Sequence, residues 1–170
     1  MQKPLRGECR EYFHRYIDLV PDNDFVTTLQ NNTIEVTSFF AQLPANKQHY
    51  RYAEDKWTPK EILLHIMDTE RIFTYRALAA IRGDDKSALP GYDENSYAAN
   101  ADANSRSMDD LLKEFNAIRT ASQKLFEHVT DEQSTQTALV ADVPTTTRAL
   151  AYVIIGHTLH HMQVIRERYL

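Results

Sequence analysis

One cysteine, four glycines and six prolines in 170 residues exclude several architectures at once. A lone Cys9 can form neither an internal disulfide nor a thiolate zinc site. A sandwich or barrel needs many tight turns, which so few glycines and prolines do not supply. Helices are therefore favoured. No apolar run approaches the ~20 residues that span a bilayer. The segment Met1–Arg10 is polar and lacks the apolar stretch of a signal peptide. No basic stripe alternates with aromatics, and the formal net charge is −5, so neither nucleic acid nor membrane is an expected partner. The balance of 42% hydrophobic and 25% charged residues suits a globular protein. The expectation is one domain over residues 1–170, in the cytoplasm, where a single free thiol is at home.

What is present is helical periodicity. A short pattern runs from about Glu8 to Leu19, with Tyr12, Phe13, Tyr16 and Ile17 on one face. Four longer patterns follow. The first covers about Asp24–Leu43 and stops at Pro44. The second has the clearest start in the chain: Thr58 suits N-cap, Pro59 the first helical position and Glu61 the third, a capping box. It runs to about Arg82, with Gly83 beyond its end. Its inward stripe is Ile62, His65, Ile66, Thr69, Ile72, Phe73 and Arg76. The third begins after Ser107, and the fourth runs to Tyr169. Between the second and third lies a connection, Asp84–Arg106, long enough to cross a bundle. The fold expected is all-α: a four-helix bundle of up-down-down-up order with a short extra N-terminal helix.

Histidine is the unusual element. In Gly156-His157-Thr158-Leu159-His160-His161, His157 and His161 are four apart and share a face with Leu150, Val153, Ile154 and Val164. Two imidazoles thus replace core residues, and their nitrogens need partners. His65 sits on the core stripe of the second long helix, about 10 Å from its start at 1.5 Å per residue, and His161 is at a similar distance from the end of the fourth. If those helices are antiparallel neighbours, three imidazoles meet at one depth. Such a set suits zinc or nickel. The other reading is that the rings are hydrogen-bonded core residues.

His160 points about 100° away from His161 and is a candidate flank residue or proton shuttle. Asp68 or Glu61 is placed to orient the His65 ring, although Glu61 is needed for the cap and Asp68 can pair with Arg71. Glu70 and Arg71 read as an ordinary charged surface, whereas Arg76 needs an inner partner. Tyr92, on the long connection, is a further candidate for proton transfer. His14, His49 and His128 lack this context.

Trp57-Thr58-Pro59-Lys60-Glu61 with His65-Ile66-Met67-Asp68-Thr69-Glu70-Arg71, the segment Leu89-Pro90-Gly91-Tyr92, and the His157–His161 motif together resemble the DinB/YfiT-like superfamily, from about Tyr12 to the C-terminus. The resemblance implies an up-down-down-up bundle, often a homodimer, with His65, His157 and His161 as ligands of a divalent metal. It also implies a small-molecule substrate, with metal-dependent transfer to a low-molecular-weight thiol among the family's activities. Hydrolysis at the metal and a non-catalytic, metal-stabilised binding or dimerisation module are the alternatives.

Overall fold

The computed structural model describes residues 1–170. A 3₁₀ turn, Glu11–Phe13, leads into the single-turn helix α1 (His14–Ile17). Four long helices follow: α2 (Phe25–Ala41), α3 (Pro59–Ile81), α5 (Met108–Phe126) and α7 (Thr147–Arg168). Two short ones intervene, α4 (Glu94–Asn100) and α6 (Asp131–Thr135). Each long helix starts on a side chain that accepts a backbone N–H: Asp24, Thr58, Ser107 and Thr146. The capping box is complete, because Thr58 N–H donates to Glu61 Oε2 at 2.7 Å while Glu61 N–H donates to Thr58 Oγ1 at 3.2 Å. None of the helices is long and apolar enough to cross a membrane.

Side-chain pairs give the helix directions. Tyr169 donates to the Trp57 carbonyl, so α7 ends where α3 begins and the two are antiparallel. Thr37 meets Asn116 and Phe25 meets Phe126, so α2 and α5 are antiparallel. Phe25 meets Tyr152 and Glu35 meets Arg166, so α2 and α7 are parallel. Glu70 pairs with Arg119 and Thr74 with Ser122, so α3 and α5 are parallel. The order is up, down, down, up.

The all-α expectation needs correction. Strands β1 (Ala88–Leu89), β2 (Thr137–Val140) and β3 (Val143–Thr146) form a sheet in the order β1-β2-β3, the first pair parallel and the second antiparallel. These strands of two to four residues are too short to show alternation. Their turn, Ala141-Asp142, takes positive φ at both positions without the glycine or asparagine that usually marks it. The connection 84–106 likewise carries β1 and α4 and is not a bare loop. The N-terminal helix is also shorter than Glu8–Leu19. The Glu8 carbonyl accepts from Thr146 N–H, and its carboxylate holds Thr146 and Arg148. That segment is tied to the start of α7 and cannot wind into a helix.

Two apolar clusters make the core. One gathers Ile17, Phe25, Leu29, Phe73, Phe126 and Tyr152; the other gathers Val36, Phe40, Met67, Phe115, Met162 and Ile165. On each long helix a buried polar residue falls between the two: Asn32, Glu70, Arg119 and Thr158. Glu70 is therefore no surface residue. It is 1% exposed and pairs with a fully buried Arg119.

At Gly156, α7 passes directly under α1. A Cβ there would stand 2.1 Å from the Tyr16 carbonyl oxygen. Gly156→Ala is expected to push α1 off and to cost about 2–3 kcal/mol, the upper range for overpacking. Urea unfolding measures it, and an alanine variant as stable as the parent protein would contradict this packing.

Candidate metal centre

The capping box fixes where α3 begins and so sets His65 near the level of the last turns of α7. His65 Nε2 lies 3.0 Å from His157 Nε2, which lies 3.0 Å from His161 Nε2. His65 and His157 are buried and His161 partly so. The Trp57 ring lies 4.6 Å from that of His65, and Tyr16 stands edge-on to His157 at 5.3 Å. Burial lowers the pKa of all three imidazoles, that of His65 to about 4, and for His157 and His161 the neighbouring rings lower it further. At neutral pH the three rings are uncharged, with lone pairs available.

These shifts give a pH prediction for the metal-free protein. An unfolded chain protonates histidine near pH 6.5, whereas folded His65 resists to about pH 4. Between those values the unfolded state binds more protons, so stability is full above about 6.5 and falls as pH drops towards 4. Each pH unit in that window is worth about 1.4 kcal/mol per group, so His65 alone contributes on the order of 3 kcal/mol. Unfolding free energies measured from pH 7.5 to 4 would show the decline. A flat profile in the parent protein would contradict the burial of neutral rings.

The histidines stand in the wall of a cavity of about 460 Å³. Tyr92 also lines it, hydrogen-bonded to Thr69 Oγ1 at 2.6 Å. His160 does not; it is half-buried, edge-on to Tyr16 and His161. Asp68 is also absent from the lining, because Arg71 draws it towards Glu114 on the α3–α5 surface. Glu61 is occupied by the cap, Arg51 and Asn104. No carboxylate therefore hydrogen-bonds to His65, contrary to the expectation for Asp68 and Glu61. Arg76 finds its partner in the Pro90 carbonyl at 2.7 Å and packs on the Phe73 ring. His14 is buried 3.7 Å from Cys9 Sγ, His49 lies beside Lys60, and His128 is exposed. Trp57, Tyr16 and Arg10 also line the cavity, a role that no pattern in the sequence marks for Tyr16 or Arg10. Trp57, the single tryptophan of the chain, directly precedes a cap and was the one available signal.

Three nitrogens converging from two helices fit a divalent ion. The donor atoms all lie within 4.8 Å of one another. Nitrogens on one tetrahedral zinc ion stand roughly 3.3 Å apart, given Zn–N near 2.0–2.1 Å. His157 Nε2 faces two other ring nitrogens at once, a crowding that a shared cation relieves.

Comparison with known proteins bears on the family and the fold. The family model of the DinB superfamily matches residues 8–165. A solved structure, YfiT from Bacillus subtilis, superposes with a TM-score of 0.73 over 97% of this chain and 90% of that one, at 16% identity. It is described as a probable metal-dependent hydrolase with an unusual four-helix bundle topology. No curated protein matches the chain.

Proposed function

The chain belongs to the DinB superfamily, and from that premise we propose that it is a divalent-metal-dependent enzyme of hydrolase type, acting on a small molecule, with His65, His157 and His161 as ligands. The observation that carries this reading is the meeting of three neutral imidazoles in the wall of an open cavity large enough for a small organic molecule. Zinc and nickel suit such ligands. Bound there, either would supply Lewis acidity to a carbonyl, a water or a thiol.

The chain's own residues do the rest. His157 and His161, one turn apart on α7, and His65 on α3 clamp the two helices at a fixed depth. Trp57 packs against the His65 ring and Tyr16 stands edge-on to that of His157, which holds both imidazoles in place. Burial raises the pKa of Tyr92, so its hydroxyl stays protonated and serves as a hydrogen-bond donor to substrate oxygen. A purely structural ion would be closed in by protein; the cavity beside these nitrogens favours catalysis over a metal-stabilised module.

One observation supports a second reading, transfer to a low-molecular-weight thiol. No carboxylate touches the three histidines, and Glu94 is the sole acidic residue lining the cavity. The ion would acidify either nucleophile, but an attacking water has a further proton to lose to a base, whereas a thiolate has none. A panel of small esters and amides, assayed with zinc- or nickel-loaded protein with and without added thiol, separates the two. Turnover without thiol supports the hydrolase. Turnover only with thiol replaces it by the transferase.

A further inference from the structure

Arg76 is 4% exposed, yet no carboxylate lies within ion-pair reach of it. Of the donors on its guanidinium, Nη2 is used, on the Pro90 carbonyl. The other buried arginine, Arg119, is paired with Glu70, and the partly buried Arg148 is paired with Glu8. A buried cation without a counter-charge is costly unless something else supplies one. Arg76 lines the cavity that holds His65 and His157, and so does the exposed Arg10, whose guanidinium donates to the Ala141 carbonyl. Ala141 N–H in turn donates to the Leu89 carbonyl at 2.8 Å. The two carbonyls that hold these arginines therefore belong to one corner of the sheet. Glu94 lines the same cavity but pairs with neither guanidinium.

Along α3 the cavity wall is a single stripe, His65, Thr69, Phe73 and Arg76. Eleven residues of rise separate its ends by roughly 16 Å. Between them Phe13, Phe73 and Val153 give the lining an apolar stretch, beside the hydrogen-bonded Thr69 and Tyr92 hydroxyls. We propose that Arg76 and Arg10 form an anion subsite at the end of the cavity remote from the histidines, so that the occupant is an elongated organic anion: a carboxylate or phosphate head, an apolar body, and its reacting group at the histidines. The last clause rests on the function proposed above; the anion subsite does not.

The test uses 4-phenylbutyrate, 4-phenylbutyl phosphate and the neutral 4-phenylbutanamide, titrated calorimetrically into the full chain with and without zinc. In both forms the better anion is expected to bind at least about tenfold tighter than the amide, as charge-assisted hydrogen bonds require. The tighter of the two anions identifies the head group. Arg76→Gln and Arg10→Gln should each erode that preference by weakening the anions more than the amide, and Arg76→Lys should retain part of it. Arg10 is exposed, so its variant reports even if Arg76→Gln fails to fold. Equal binding of all three probes to the parent protein would overturn the subsite, as would an undiminished preference in Arg10→Gln together with whichever Arg76 variant folds. Elemental analysis of the same samples keeps the two proposals apart. Anion preference in protein that takes up no zinc when zinc is supplied sinks the metal reading alone, and bound zinc without anion preference sinks the subsite alone.

Discussion

Replacing His157 with alanine is expected to lower affinity for zinc or nickel by more than about a hundredfold and to abolish metal-dependent turnover. His157 is the middle member of the set, 3.0 Å from each of the other two nitrogens. Without it, two rings on different helices remain and the third donor is lost. Loss of a residue that merely supports a ligand costs about 10–100-fold in affinity, and loss of the ligand itself costs more. Metal content after dialysis against a weak chelator measures this, with circular dichroism to confirm that the variant folds. His160→Ala is the matched control: its ring lies outside the cavity, so bound metal should stay equimolar. A His157→Ala protein that keeps its metal would remove His157 from the ligand set.

The second large effect is on stability. Glu70→Ala is expected to destabilise the fold by about 3–5 kcal/mol, because it strands Arg119 as a buried charge. Arg119 is 0% exposed, with Nε 3.1 Å from Glu70 Oε2 and Nη1 donating to Asn32 Oδ1 at 2.8 Å. Thr158 reaches the same Asn32 oxygen from α7. One polar layer thus ties all four long helices between the two apolar clusters. Its satisfaction is incomplete, since Glu70 Oε1 and Asn32 Nδ2 have no partner. The pair is therefore expensive to break yet no great source of net stability. Replacing both members with methionine should cost less than Glu70→Ala alone. Urea unfolding of the two single variants and the double variant settles it. A single-variant loss under about 1 kcal/mol would contradict the burial of the pair.

The contrast between His65 and Glu70 shows what the sequence made legible. His65 interrupts a stripe of Ile62, Ile66 and Phe73, so its inward direction can be read from spacing alone. Glu70 is adjacent to Arg71 and two residues from Asp68, and that neighbourhood looks like a solvated face. Its burial depends on Arg119, 49 residues later on another helix, and no local pattern announces that pairing. The capping box at Thr58 was readable because all its atoms come from one short segment. The hairpin at Ala141-Asp142 was not, because its first turn position puts an alanine at positive φ, where no sequence signal marks the turn. Asp68 sits three residues from His65 on nearly the same face, yet Arg71, which also holds Glu114, captures it. Competition among charged partners decided the matter, and helical spacing carries no information about that. Arg10 and Tyr16 reach the cavity only because Gly156 lets α1 close on α7.

His65, His157 and His161 are proposed to bind one divalent ion and to leave it open to the cavity. X-ray absorption at the zinc edge of stoichiometrically loaded protein tests it most directly. The predicted spectrum shows three imidazole nitrogens at about 2.0 Å and one further light-atom ligand that small added anions or thiols exchange. Zinc that fails to bind at stoichiometric concentration would contradict the claim, as would an unchanged spectrum from the protein in which all three histidines are alanine.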